Sequence, residues 1–213
     1  MSIRVKPEEK VWADFQEQEK LSDQQVELFK MYERYLSKCN EEFNLTAIKD
    51  LSGIVRQHFQ DSLSLAKFTD LSKIKSICDI GTGAGFPAIP LKIMFPHLKV
   101  YLIEVTKKKI QFLTDLISML ELTDVEICDL DWRTFLRKTE FDIDMFVTRA
   151  AIDEVELVRM LKPSCFYNKA TIAYWAAEHW ECHTKAKEFV NKIESYKLGQ
   201  KNRKLVFFKL ISV

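Results

Sequence analysis

Ile77-Cys78-Asp79-Ile80-Gly81-Thr82-Gly83-Ala84-Gly85-Phe86-Pro87 is the stretch that decides the fold. A short apolar run ends in an acid and enters three glycines at alternate positions. These are three of only five glycines in the chain, so the segment is built for a tight turn and close backbone approach. The next apolar run, Val100 to Ile103, ends in Glu104. An acid about 20 residues beyond a glycine turn is how a nucleoside cofactor is held at the carboxyl edge of a parallel sheet. The acid takes the ribose hydroxyls, because a carboxylate can accept from two donors. The dinucleotide fingerprint G-x-G-x-x-G fails, since its third position falls on Phe86. The pattern present is D-x-G-x-G-x-G. A strand-to-helix turn with no ligand is the competing reading of the glycines taken alone.

Outward from this turn, strands and helices alternate. Apolar runs predict strands at Ser76–Asp79, Val100–Val105, Val125–Cys128, Met145–Thr148 and Lys169–Tyr174, with weaker ones near Ile193–Leu198 and Leu205–Leu210. Helices fill the gaps, notably from Lys107 to Leu120. Alternation over this length implies a mostly parallel, doubly wound seven-stranded sheet. No helix separates the last two strands, and Leu198-Gly199-Gln200-Lys201-Asn202 reads as a turn. An antiparallel hairpin is therefore expected at the sheet edge. Upstream, Ser22 with Gln25 is a capping-box start. Leu28, Phe29, Tyr32, Tyr35, Leu36 and Cys39 follow on one helical face. A second helical stretch spans Leu51 to Phe68. The expected organisation is one domain: a helical cap over residues 1–72 and an α/β core over 73–213.

Composition narrows the class. A hydrophobic content of 47% supports a full core, and no apolar run approaches the roughly 18 residues that cross a bilayer. Arg4, Lys6, Glu8, Glu9 and Lys10 leave no room for a signal h-region, so a cytoplasmic protein is expected. The five scattered cysteines make no CxxC pair and read as reduced thiols. His179 and His183 are four apart, but the residue after the first is Trp180 where a zinc protease needs Glu; no metal is expected. The net charge is +1, yet residues 184–213 hold eight Lys/Arg against two Glu, which leaves about −5 for the rest. This basic end either faces phosphate or is a solvated face with edge-strand lysines.

Several motifs together resemble the RsmG (GidB) family of bacterial small-subunit ribosomal RNA methyltransferases, and D-x-G-x-G-x-G resembles motif I of class I methyltransferases that use S-adenosylmethionine (SAM). Asn44-Leu45-Thr46-Ala47 matches the family's N-L-T-A, preceded by Tyr32, Leu36 and Asn40 at the family spacing. His58-Phe59-Gln60-Asp61-Ser62 matches H-x-x-D-S. Asp79 to Pro90 matches D-[IV]-G-T-G-x-G-[FL]-P-G-I-P, with Ala88 for the last glycine. Glu104 to Leu113 resembles [DE]-[SP]-x-x-K-[RK]-x-x-F-L, and Thr148-Arg149-Ala150 matches S-R-A. The resemblance implies a Rossmann-like class I fold. It also implies SAM-dependent methylation of N7 of a guanine in the 530 loop of 16S rRNA, with 16S rRNA or the 30S subunit as partner, and a monomer.

Roles follow by position. Asp79 orients the glycine turn or receives the SAM amino group. Gly81, Gly83 and Gly85 admit the methionine part, Phe86 lies at the cofactor edge, and Glu104 takes the ribose. Asp131, Trp132 and Arg133 fall where the resemblance places the adenine, although Trp132 would equally pack with Leu130, Phe135 and Leu136 on a short helix. Arg149 ends a core strand, where a permanent cation is costly to bury unpaired. It is the residue expected to carry activity, holding the SAM carboxylate, a phosphate or guanine O6; a structural salt bridge is the alternative. His58 and Asp61 share a helix face, either as a packing pair or in an RNA or cofactor role. The family's Lys-Gly after the fifth strand is missing: Ile172-Ala173-Tyr174-Trp175-Ala176 stands there. An aromatic pair at that strand's tip would stack on a base or join the core.

Overall fold

The computed structural model describes residues 7–149 and 151–210. Ala150 of the S-R-A match, and Arg4 and Lys6 of the amino-terminal reading, lie outside them.

Seven strands form one sheet in the order β3-β2-β1-β4-β5-β7-β6. They are β1 (Ser76–Ile80), β2 (Lys99–Ile103), β3 (Val125–Cys128), β4 (Met145–Arg149), β5 (Thr171–Ala177), β6 (Val190–Leu198) and β7 (Lys201–Phe208). The first five pair in parallel, whereas β7 runs antiparallel to both β5 and β6. This is the expected α/β class I architecture with a terminal hairpin. The strand order reverses between β1 and β4, so the carboxyl ends of these two parallel strands open at the topological switch point. β1 is buried throughout, as a central parallel strand covered on both faces must be.

Helices cover both faces. On one side lie the cap helices α1 (Pro7–Glu19), α2 (Asp23–Phe43), α3 (Leu51–Ile54) and α4 (Asp61–Leu63), with α5 (Ala88–Met94) and α6 (Lys107–Met119). They share one apolar cluster with Val100, Leu102 and Val147 of the sheet. Against the other face, α7 (Trp132–Lys138) and α8 (Glu154–Leu157) pack with Phe146 and Ile172.

The capping box at the start of α2 forms as expected: Gln25 N donates to Ser22 Oγ at 3.2 Å, and Ser22 N donates to Gln25 Oε1 at 2.9 Å. Such a cap is worth about 1 kcal/mol. The stretch from Leu51 is helical but not uniform. Val55–Gln60 winds as a π-helix between α3 and α4, and Ser64–Lys67 as a 3-10 turn.

Helix α1 was not anticipated. Its sequence is mostly polar, and Val11, Trp12 and Phe15 alone carry its apolar face; Phe15 is buried against Phe29 and Phe59. β7 starts earlier than the apolar run suggests, because the turn takes only Gly199 and Gln200. Its first four residues, Lys201 to Lys204, are polar. β5 also runs on to Ala177, so Tyr174 and Trp175 lie in mid-strand and not at its tip. They point to opposite faces, Trp175 joining the cap-side cluster and Tyr174 packing against the other.

Candidate functional site

Asp79 is the penultimate residue of β1, its carboxylate fully buried. Thr82 Oγ1 donates to its Oδ2 at 2.8 Å and Ala88 N at 3.1 Å, so this oxygen ties both ends of the glycine turn. The other oxygen, Oδ1, has no partner. Burial pushes the carboxyl up to about 7, against the opposing pull of those hydrogen bonds. Gly83 (φ +62°) and Gly85 (φ +96°) hold left-handed backbone, which other residues reach only at a cost. Their surroundings differ. A Cβ on Gly83 would meet nothing within 4 Å, whereas one on Gly85 would lie 2.8 Å from Tyr32 Oη and from Ile89 Cγ1. Gly83 therefore faces open space and Gly85 packs under the cap.

Glu104, one residue beyond β2, reaches back to this turn. Gly83 N donates to its Oε2 at 3.1 Å, while Val105 N and Thr106 N donate to Oε1 at 3.0 and 2.9 Å. Lys109 Nζ stands 3.7 Å from Oε2. A carboxylate accepts about four hydrogen bonds, so three amides leave it room for a ligand donor. The residues present fit a SAM-like group: an orphaned buried acceptor suits an ammonium, a turn open at Gly83 suits close backbone approach, and an acid with spare capacity suits a hydroxyl.

Phe86 turns its ring into the interior. Its ring is buried between Tyr32 (centroids 5.3 Å) and His58 (4.5 Å), both nearly parallel to it, with the Arg149 guanidinium 5.2 Å above. An aromatic ring so flanked is worth more to the cap–sheet seam than to a polar ligand.

Arg149 is the centre of that seam. Its Nη1 donates to Gln57 O at 2.9 Å and to Asp61 Oδ2 at 3.3 Å, and its Nη2 meets His58 Nδ1 at 2.9 Å. Asp61 is completely buried, and also accepts from Tyr196 Oη at 2.7 Å and Arg203 Nη2 at 3.5 Å. Trp175 Nε1 donates to the Asp61 carbonyl at 2.8 Å. The π-helix aids this, for its wide turn presents Gln57 O, His58 and Asp61 towards one cation. His58 Nδ1 must accept from Arg149, so Nε2–H donates to Thr46 Oγ1 (2.7 Å). Burial and the neighbouring guanidinium lower His58 to about 3, keeping it neutral. Asn40 holds Thr46 in turn through its main chain, with bonds of 2.9 and 2.8 Å. The Asn40…Thr46, His58…Asp61 and Arg149 motifs are thus one hydrogen-bonded chain. Arg149 makes the salt bridge that was the alternative to a ligand role, and still lines a cleft.

On the β3 side, Asp131 is the N-cap of α7: its carboxylate accepts from Thr134 N at 3.0 Å and Thr134 Oγ1 at 2.6 Å. Trp132 adopts the packing arrangement, buried and stacked on Phe135, its Nε1 3.4 Å from Glu156 O. Arg133 is exposed and paired with Glu156 at 3.1 Å. An adenine contact by the Trp132 ring is not what the packing provides.

A cleft of about 730 Å³ opens beside Arg149, lined also by His58, Trp175, His179, Trp180 and Arg203. Sequence reasoning did not connect Arg203, Tyr196 or Trp180 to the site. They sit on or beside the terminal hairpin, far along the chain, and only the antiparallel register carries them to β4. His183 Nδ1 accepts from Lys185 N at 3.2 Å and so caps a 3-10 turn. Among the described residues no group of three His, Cys, Asp or Glu is placed to hold a metal, and no helix is long and apolar enough to cross a membrane.

Residues 25–206 match the GidB family, described as rRNA small subunit methyltransferase G. Two relatives bear the name ribosomal RNA small subunit methyltransferase G. One, from Geobacillus sp. (strain WCH70), is 42% identical over 163 residues, which are 76% of this chain and 68% of the relative. The other, from Bacillus cereus (strain B4264), is 49% identical over 118 residues, 55% of this chain and 49% of the relative. The match thus spans about half the length of that relative. Among solved structures, the delta-N METTL16 methyltransferase domain superposes with a TM-score of 0.58 at 17% identity, over 86% of this chain and 99% of that one. A human methyltransferase 10 domain containing protein gives 0.58 at 14%, over 88% and 98%. Both likenesses are of fold.

Proposed function

The chain belongs to the rRNA small subunit methyltransferase G family, and on that premise we propose that it methylates N7 of a guanine in the 530 loop of 16S rRNA, using SAM. The observation that carries this reading is the glycine turn. The acceptor Asp79 Oδ1 is left free there, and Glu104 keeps spare capacity beside an unobstructed Gly83. SAM, when bound, supplies a methyl already activated by its sulfonium. Asp79 and the Gly81–Gly85 turn would hold its amino-acid end and Glu104 its ribose, with Asp131, Trp132 and Arg133 bordering the adenine side through backbone and α7.

Guanine N7 carries a lone pair and no proton, so the chain needs no general base. Its own residues contribute by positioning and by electrostatics. Arg149, fixed by Asp61, Gln57 O and His58, places a permanent cation at the carboxyl end of β4, beside the cleft. Neutral His58 adds no second charge there. Trp175, at the position of the family's Lys-Gly, is committed to the Asp61 carbonyl, so the substrate side is built differently here. The proposed setting is the cytoplasm, with a monomer acting on rRNA or on the 30S particle.

The test is transfer of radiolabelled methyl from SAM to 30S subunits that lack the modification, followed by mapping of the labelled base. Label at N7 of a 530-loop guanine is the expected result. Binding of SAM without any label on the subunit would overturn the substrate assignment.

A further inference from the structure

Three buried side-chain polar atoms among the described residues have no hydrogen-bond partner: Asp79 Oδ1, Trp180 Nε1 and Arg203 Nε. The first is an acceptor at the glycine turn. The other two are donors, and both residues line the cleft beside Arg149. Their backbones are neighbours, but the side chains part: Arg203 reaches Asp61 on the cap side, whereas the Trp180 ring packs against Tyr174 and Phe208 on the other face. Arg203 on β7 pairs with Ala177 on β5, and Trp180 N donates to the Ala177 carbonyl at 3.1 Å. An orphaned buried donor is costly until an acceptor reaches it.

The charges point the same way. Arg149 and Arg203 share one carboxylate, Asp61, at 3.3 and 3.5 Å, so this trio keeps one positive charge. His58 adds none, being neutral. The acceptors on the cap side are already used: Asp61 by Tyr196 and the two arginines, His58 Nδ1 by Arg149. Glu178, at the rim, accepts from Asn202 Nδ2 at 2.7 Å. Lys204 Nζ, nearby, donates to the Trp180 carbonyl at 3.1 Å. A cleft lined by Arg149 and by Arg203, which is 30% exposed, presents a net cation and selects a negatively charged ligand.

We propose that Arg203 forms a phosphate subsite that grips the RNA backbone next to the base entering beside Arg149. This rests on the reading above that the substrate is RNA. It assigns to the terminal hairpin a substrate-binding task, in addition to closing the sheet. Asp61 is then a positioning residue, aligning both guanidiniums from below.

The experiment measures binding of a short, guanine-containing single-stranded RNA by fluorescence anisotropy across a KCl series. Wild type, R203Q, R203K and W180F are compared, with SAM affinity by calorimetry and methyl transfer to 30S subunits in parallel. In R203Q the slope of log K against log salt should shrink by about 0.7, the share of one phosphate contact on a single strand. Affinity at low salt should fall about tenfold, and SAM affinity should hold. R203K should restore most of the slope, since it keeps the charge. W180F, on the other face of the sheet, should leave slope and affinity unchanged. An unchanged slope and affinity in R203Q would overturn the subsite. So would a change in preference for guanine over adenine at constant slope, which would mean a base contact, or a parallel loss of SAM affinity, which would mean a structural role. If the wild type transfers methyl while R203Q binds RNA normally, the subsite fails and the function stands. If the wild type neither binds RNA nor transfers methyl, both fail.

Discussion

Replacing Asp61 by Asn tests the seam on which the site rests. The carboxylate is fully buried and serves Tyr196 Oη (2.7 Å), Arg149 Nη1 (3.3 Å) and Arg203 Nη2 (3.5 Å). Asn keeps the volume and one acceptor oxygen but loses the charge, and it turns one oxygen into a donor aimed at donors. Arg149 is only 16% exposed, so it cannot recover its hydration. Removing one partner of a buried ion pair costs about 3–5 kcal/mol. Part of this is softened here, because Arg149 keeps Gln57 O and His58 Nδ1 and Arg203 is 30% exposed. The expected loss is about 3 kcal/mol, near the bottom of that range. For a chain of this size that is roughly 6–12 °C in Tm. Urea unfolding of wild type, D61N, Y196F and the double variant gives both the total and the coupling. The D61N–Y196F interaction should be about 1 kcal/mol or more, since the hydrogen bond is to a charged, buried acceptor. Stability within about 0.5 kcal/mol of wild type, the level of a surface substitution, would refute the claim that Asp61 organises the cations.

Three further outcomes follow from the same geometry. Glu104→Ala should weaken SAM binding strongly, and equal affinity in a calorimetric titration would sink the ribose assignment. Gly83→Ala should cost about 1–2 kcal/mol of backbone strain while impairing SAM binding, because its Cβ enters open space; Gly85→Ala should destabilise more, since its Cβ falls 2.8 Å from Tyr32 Oη and Ile89 Cγ1, and the reverse order in thermal melts would contradict this packing. His58 binds its proton near its ordinary 6.5 in the unfolded chain but only at about 3 when folded. Stability from this group is therefore present above pH 6.5 and lost as pH falls, by about 1.4 kcal/mol per unit. Asp79, raised to about 7 from 3.8, acts with the opposite sign: protonated only in the folded chain between those values, it favours folding more as pH falls. The comparison is thus wild type against H58Q, whose stability difference should change by about 1.4 kcal/mol over one pH unit below 6.5; parallel curves would show that His58 is not held neutral.

The sheet, its parallel majority and the terminal hairpin were legible because they are written locally. Continuous apolar runs such as Val100–Ile103 mark strands covered on both faces, and a glycine turn with an acid after the next run marks the carboxyl edge. Asp79, Gly83 and Glu104 could be placed around one turn for that reason: they are neighbours in one βαβ unit, and their geometry is a property of that unit. The capping box at Ser22 is likewise a matter of four residues. Side-chain direction was a different matter. Phe86 lies in the glycine turn by sequence, yet its ring turns into the seam, because Tyr32 and His58 arrive from cap helices to flank it. Trp132 packs since α7 buries that face, and Tyr174 and Trp175 part to opposite faces because β5 extends past them. Arg149 could be recognised as a cation that needed a partner; its partners could not. Asp61 opens α4, just after the π-helical turn and 88 residues upstream, and Tyr196 and Arg203 come from a hairpin whose register no local pattern encodes. A buried carboxylate is stable only where several donors converge, and convergence from three distant segments is decided by the packing of cap on sheet, not by any stretch of chain read alone.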